Sequence, residues 1–319
     1  MASNALELDD LTVTYISRTR RVAAVRNVNL TVKHHEIVGL VGESGSGKST
    51  LAFAVMRLLT NAQVTGRVSV GGQDILSLDP EALRRFRWNT ISMAFQSAMN
   101  ALNPVMPVWR QIADTLKYHQ PHLSDAEVRQ RIKELADLVR IDPARLQSYP
   151  HELSGGMRQR VVIAIAIALH PSVVIMDEPT TALDVVVQRS LLENITAIQE
   201  QTGFSIIFIS HDLSLVTELA DRIAIMYAGR IVELTPAATA VQPDTRHHPY
   251  TQGLLAAIPR LSDETVVIRG IPGNPPDMAH LPSGCPFAPR CPQRMDRCQD
   301  EEPALRAAEI GQIACHLFD

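Results

Sequence analysis

No cysteine occurs in the first 284 residues; all four follow, at Cys285, Cys291, Cys298 and Cys315. Aromatic residues are scarce, at 4%. Basic charge is not in excess: 30 Lys and Arg face 34 Asp and Glu, a net charge of -4. That excludes the bulk positive field with which a chain gathers nucleic acid, so no nucleic-acid partner is expected. Long apolar runs are missing too. The longest clean one, Val161 to Leu169, is far short of the ~20 residues a membrane span needs. The opening MASNALELDD has no charged, apolar, small-residue order of an export signal. The chain is therefore expected to be soluble and retained in the cell, where stable disulfides are disfavoured. What is present is an ordinary globular balance, 45% hydrophobic and 20% charged. A length of 319 residues suits one large domain, or an ordinary domain with an extension.

Hydrophobic patterning gives the expected elements. ALELDDLTVTY alternates apolar and polar residues as a strand does, and VRNVNLTVKHHEIVGLVG reads as two strands about a turn. The second runs into GESGSGKST and a helix over Thr50 to Leu59. GRVSVGGQDI carries the Gly-Gly of a hairpin. Residues 108–140 have helical spacing, with a capping box formed by Ser124 and Glu127. LSGGMRQRVVIAIAIALHP predicts a buried helix that stops at Pro171. SVVIMDE and FSIIFISH, wholly apolar, predict strands inside a parallel sheet. The helix between them, Gln188 to Gln201, completes a β-α-β unit. DRIAIMYAGRIVEL predicts a last hairpin. Beyond about residue 235 the pattern fails: 12 of the 20 prolines lie there. Only HPYTQGLLAAIP looks helical, and so proline-rich a region is expected to bury little core by itself and to need a staple.

The chemistry concentrates in three motifs. Gly42-Glu43-Ser44-Gly45-Ser46-Gly47-Lys48-Ser49 fits G-x-x-x-x-G-K-[ST], between a strand and a helix. The glycines let backbone N–H groups turn toward phosphate oxygens, Lys48 reaches the β- and γ-phosphates, and Ser49 offers a hydroxyl to Mg²⁺. VVIMDE ends a buried strand in two acids, Asp177 placed for Mg²⁺ and Glu178 placed to act on a water. Adjacent acids are costly there without such a role. LSGGM places Ser154 to cap a helix whose first N–H groups, at Gly155 and Gly156, are open to an anion. A second phosphate-binding surface without a second P-loop suits two chains that pair head to tail, each completing the other's nucleotide site.

In this order, P-loop, Gln96, LSGGM, Asp177-Glu178, TALD, His211, the chain resembles the ATPase subunit of an ATP-binding-cassette transporter over residues 6–235. ALNPV, YPHELSGGMRQRV, DEPTTALDV, MYAGRIVE, RHHPYTQGLL and IPGNPPD narrow the resemblance to the dipeptide and oligopeptide permease group, over nearly the whole chain. The resemblance implies an α/β fold: a P-loop core of RecA type with an antiparallel β subdomain and a helical subdomain over about 97–160, in a domain of residues 1–235. A proline-rich extension over 236–319 follows. It implies that Tyr15 stacks on adenine, residues 42–49 and Thr50 hold the phosphates, and Ser49, Gln96 and Asp177 hold Mg²⁺. Gln96 and Glu178 act on the attacking water and His211 contacts the γ-phosphate. Ser154, Gly155, Gly156 and Asp184 then serve the site of a second ATPase subunit, related but not identical. Two membrane permease subunits and an extracytoplasmic solute-binding protein are the implied partners, with the chain on the cytoplasmic face of the membrane. One departure is FQSAMN: Ser97 and Ala98 stand where the group often has Asp-Pro. Residues from Ser97 to about Trp109, with Leu102, Val105 and Met106, are expected to face the permease. The alternative is a cassette ATPase of DNA repair or translation. Such proteins usually add coiled-coil insertions or a second cassette, which this chain lacks.

The cysteines follow C-x5-C-x6-C-x16-C. A four-thiolate site explains both their number and the need for a staple. Zinc more often uses C-x2-C or C-x4-C knuckles, whereas an iron–sulfur cluster accepts cysteines on irregular, proline-rich loops. The resemblance points the same way. The expectation is a [4Fe–4S] cluster on Cys285, Cys291, Cys298 and Cys315, with zinc second and bare thiols third.

Overall fold

The computed structural model describes residues 4–17, 19–95, 102–242, 245–258 and 270–319. Its strands are β1 (Leu6–Ile16), β2 (Arg21–Val32), β3 (Ile37–Val41), β4 (Ala62–Val70), β5 (Gln73–Asp74), β6 (Ile91–Ala94), β7 (Val173–Asp177), β8 (Ser205–Ser210), β9 (Arg222–Tyr227), β10 (Arg230–Pro236), β11 (Arg306–Ala308) and β12 (Gly311–Ile313). Its helices are α1 (Lys48–Val55), α2 (Pro80–Asn89), α3 (Val108–His119), α4 (Asp125–Leu138), α5 (Gly155–Ala166), α6 (Val185–Thr202), α7 (Leu213–Leu219), α8 (Ala237–Ala240), α9 (Pro249–Ala256) and α10 (Arg297–Asp300). Strands β1, β2 and β4 line up in the order β2-β1-β4, and β5 folds back on β4 with Ser69 opposite Asp74, as the Gly-Gly hairpin signal requires. None of the described helices is long and apolar enough to cross a membrane.

The chain divides into two compact units. The first holds residues 1–6, 31–36 and 69–207. In it β6 and β7 run parallel, Ile91 opposite Val173 and Ala94 opposite Met176, and every residue of both is buried. Burial on both faces explains why β7 reads as an apolar run up to Asp177 rather than an alternating one. Helix α4 begins with the expected capping box: the Glu127 N–H donates to the Ser124 hydroxyl, and the Glu127 carboxylate accepts from the Ser124 N–H. Helices α4, α5 and α6 are tied by Arg160, which donates to the Val139 carbonyl at 2.8 Å, to Asn194 at 3.1 Å and to Ser190 at 3.0 Å. Helix α6 starts three residues earlier than its periodicity suggests because Asp184 caps it. It ends at Gly203, whose φ of 76° a side chain would resist.

The second unit holds residues 7–30, 37–68 and 208–319. Its sheet runs β11-β12-β10-β9-β3. Strand β3 pairs parallel with β9, Val38 opposite Arg222 and Val41 opposite Ile225, and β10 returns antiparallel as the Ala-Gly turn predicts. Helix α1 is shorter than the expected Thr50 to Leu59: it stops at Val55, and Arg57 takes a φ of 50°.

The described residues after 235 bury a core, but against β9 and β10 rather than by themselves. Tyr250 is 0% and Phe287 2% exposed, and Ala288, Cys298, Ile313 and Ala314 are also buried. The rings of Tyr227, Tyr250 and Phe287 pack with centroids 4.6 to 5.5 Å apart. Strand β12 joins the sheet beside β10, Glu233 opposite Ile313. Buried Glu233 accepts from the His248 N–H at 2.8 Å and pairs with His247 at 2.6 Å. Proline hid this core from periodicity. Its apolar members are single residues scattered over short elements and loops, seated against β9 and β10 rather than on a face of their own.

Candidate functional site

The phosphate loop grows out of β3 and turns into α1. Loop oxygens hold the buried Lys48 ammonium: Nζ donates to the Gly42 carbonyl at 2.7 Å, the Glu43 carbonyl at 2.9 Å and the Ser46 hydroxyl at 3.4 Å. Gly47 must be glycine for two reasons. Its φ is 104°, and a Cβ there would stand 2.4 Å from the Ala24 carbonyl oxygen. The hydroxyl of Tyr15, from β1, lies 3.4 Å from that of Thr50 in the first turn of α1. The second unit thus brings together the loop that can cradle phosphates and the aromatic ring expected to hold the base. His211 follows β8 in this unit and is exposed.

The first unit carries the acids. Asp177, 2% exposed, ends β7. Glu178 follows with a φ of 47°, a left-handed conformation that an ordinary side chain adopts at a cost. Its carboxylate accepts from the Thr181 hydroxyl at 2.9 Å, which gives it a set direction. Such strain with an oriented acid is usual where a side chain must be aimed. Ser154 caps α5 as expected, its hydroxyl accepting from the Met157 N–H at 3.3 Å. Asp184 caps α6, accepting from the Val187 N–H at 2.9 Å. The two helix starts meet at Gly156, where a Cβ would stand 2.6 Å from Val187 Cγ1. Both caps, Ser154 and Asp184, are exposed, as residues offered to another chain would be.

Gln96, Ser97 and Ala98 lie outside the described residues. Of the apolar residues expected to face a permease, Leu102 is 6% exposed and belongs to the core, Met106 is half-buried, and Val105 stands out at 81%.

Cys285, Cys291, Cys298 and Cys315 line one small pocket with His248, Phe287 and His316. Burial pushes the Cys285 thiol up to about 11, and burial likewise raises Cys291 and Cys315, with neighbouring cysteines adding to each. Among the described residues, however, no three His, Cys, Asp or Glu side chains are placed to hold a metal ion. The four cysteines thus share one pocket, with Cys298 buried and the other three half-buried, without forming such a group.

Sequence patterning missed Arg290 and Tyr250, which reach the phosphate loop from the far end of the chain. The Arg290 guanidinium grips the Glu43 carboxylate at 2.6 and 3.0 Å, and the Tyr250 hydroxyl accepts from the Glu43 N–H at 2.8 Å. The only sequence signal was that both sit in stretches with the permease-group pattern, HHPYTQGLL and CPFAPRC.

Comparison with known proteins agrees with this geometry. The ABC transporter family model matches residues 25–181, and that of the oligopeptide/dipeptide transporter C-terminal region matches residues 232–298. The oligopeptide transport ATP-binding protein OppD of Salmonella typhimurium is 43% identical over 318 residues, covering 98% of this chain and 94% of that protein. OppD of Mycobacterium tuberculosis is 48% identical over 307 residues, covering 95% of this chain; the chain spans about half, 50%, of that relative's length. Among solved structures, the dimeric ATP-binding cassette MJ0796, in a post-hydrolysis state bound to ADP and Pi, superposes with a TM-score of 0.66 at 28% identity. That match covers 73% of this chain and 98% of the other.

Proposed function

The chain belongs to the ATP-binding-cassette transporter ATPases whose C-terminal region is that of oligopeptide and dipeptide transporters, and from that premise we propose that it binds and hydrolyses ATP to drive import of di- or oligopeptides or a related solute. The observation that carries the reading is the Lys48 ammonium held by loop carbonyls, with Tyr15 at the first turn of α1 in the same unit. Lys48 exchanges those oxygens for the phosphates when nucleotide enters, and the loop N–H groups cradle them. Ser49 and Asp177, with Gln96, are the residues that would hold Mg²⁺, which when bound neutralises charge on the β- and γ-phosphates. Glu178, aimed by Thr181, accepts the proton of the attacking water, and His211 steadies the γ-phosphate. Catalysis is mainly positioning and charge stabilisation. Ser154, Gly155, Gly156 and Asp184 act on the nucleotide of a second ATPase subunit. ATP closes the pair and hydrolysis reopens it.

The partners in this reading are that second subunit, related but distinct, two membrane permease subunits and an extracytoplasmic solute-binding protein, with the chain peripheral on the cytoplasmic face. The match to the transporter C-terminal region runs against a repair or translation role. The test is co-purification with the permease pair, then ATPase assay in liposomes with the binding protein and a peptide mixture. Peptide-stimulated turnover supports the reading; turnover indifferent to permease and peptide refutes it.

The four cysteines are the residues that would hold a [4Fe–4S] cluster, supported by the one pocket they share. Bound, it would cross-link the loop of Cys285 to Cys298 with Cys315. Anaerobically purified protein would then be brown and carry about four irons per chain. Colourless, iron-free protein would refute the cluster.

A further inference from the structure

Glu43 is an awkward residue for a loop that receives polyphosphate, since a free carboxylate there would repel the incoming anion. It is not free. Arg290 lies on a single turn, Ala288–Arg290, flanked by Cys285 and Cys291, some 250 residues along the chain from the loop. Its side chain is 5% exposed and donates from Nη1 and Nη2 to the two carboxylate oxygens of Glu43, at 2.6 and 3.0 Å. The guanidinium is itself held: Nε donates to the Pro272 carbonyl at 2.9 Å, and the plane sits 5.9 Å from the Tyr227 ring centroid. A planar fork gripped on both sides fits bidentate pairing, which a lysine cannot reproduce. The backbone of Glu43 is fixed as well. Its N–H donates to the Tyr250 hydroxyl at 2.8 Å, and its carbonyl accepts from Lys48 and from the Ser46 N–H, at 2.9 and 3.2 Å. Tyr250 is wholly buried against Phe287 and Tyr227, so the hydroxyl has little freedom. Side chain and peptide of one phosphate-loop residue are thus both set by residues beyond position 235.

We propose that the C-terminal extension positions the phosphate loop, with Arg290 and Tyr250 serving as positioning residues for nucleotide binding through Glu43. This rests on the reading of residues 42–49 as the MgATP site. Arg290 cancels the Glu43 charge, and Tyr250 fixes the peptide plane whose carbonyl holds Lys48. Neither touches the reacting atoms. The extension therefore tunes affinity for nucleotide rather than the hydrolytic step.

The experiment uses the full chain, measuring affinity for MgATP by displacement of a fluorescent ATP analogue, with KM and kcat for hydrolysis. Arg290→Met leaves the Glu43 carboxylate unpaired and should weaken MgATP binding by about tenfold, the order of one screened charge contact. KM should rise while kcat holds. Arg290→Lys should fall between. Glu43→Gln added to Arg290→Met should restore affinity to within about threefold, because the repelling charge is gone. A purely structural role for Arg290 predicts no such rescue. Wild-type affinity in Arg290→Met, or a defect that Glu43→Gln fails to relieve, overturns the proposal. Should Arg290→Met fail to fold, Tyr250→Phe decides: it keeps the ring packing and should weaken binding a few-fold, roughly the loss of one hydrogen bond, at unchanged melting temperature. Unchanged affinity there overturns the proposal too. If the wild-type chain binds no MgATP, the reading of the loop fails and this proposal falls with it. Wild-type binding with inert variants sinks the proposal alone.

Discussion

Phe287→Ala separates an extension held by its own core from one held only through its cysteines. Phe287 is 2% exposed and packs edge-on to Tyr227 at 5.3 Å and to Tyr250 at 5.5 Å, with His248 at 5.7 Å. Truncating such a ring removes its transfer free energy and leaves a cavity, together about 3–5 kcal/mol. The neighbours are rings on the sheet and a proline-bounded helix, which cannot collapse into the gap, so the upper half of that range applies. At roughly 2–4 °C per kcal/mol for a domain of this size, the melting temperature should fall by on the order of 10 °C. The measurement is thermal unfolding of the full chain beside a variant with all four cysteines changed to serine. The expected result is a large loss for Phe287→Ala and a smaller one for the serine variant. Retained stability in Phe287→Ala together with collapse of the serine variant would refute the reasoning, because the cysteines would then be the scaffold and the ring a passenger.

Glu178→Gln should keep MgATP binding and lose nearly all turnover, since an amide cannot take the water's proton; turnover near wild type in the assembled transporter would remove Glu178 from that role. Val105→Asp places a charge on a strongly exposed apolar residue of its segment and should cut transport while leaving nucleotide affinity of the isolated chain unchanged, so equal loss of both would disprove a coupling surface. Burial holds the His248 imidazole down to about 3, against an ordinary value of 6.5. Its Nδ1 accepts from the Tyr250 N–H, a bond that protonation forbids. The unfolded chain takes up this proton first, so stability is whole above about pH 6.5 and declines as pH falls toward 3, by about 2 kcal/mol at pH 5. Urea midpoints at pH 7 and pH 5 check this: His248→Gln should flatten the difference, and an equal pH dependence in both proteins would rule it out.

The nucleotide half was legible because its chemistry is written in contiguous residues. Gly47 announces its left-handed turn, Ser154 announces its cap, and β7 announces its burial by the four apolar residues that precede Asp177. Each is a local constraint that a window of a few residues contains. The extension obeys no such rule. Tyr250, Phe287 and Arg290 are isolated residues among prolines, and what makes them a core is β9, which precedes them by more than twenty residues. The same difference explains why this core escaped the sequence pattern. Counting apolar periodicity asks whether a segment can bury a face of its own. This segment instead finishes a surface that Tyr227 and the outer edge of β10 leave open, with Glu233 placed to meet His247 and the His248 N–H. A loop that merely covered that edge could have been anchored anywhere along it. The anchor chosen, Arg290 on Glu43, sits on the residue whose carbonyl accepts from Lys48. An extension fastened there shares the conformational fate of the phosphate loop, and any event that loosens it, from acid to loss of a buried ring, should be felt first as weaker nucleotide binding.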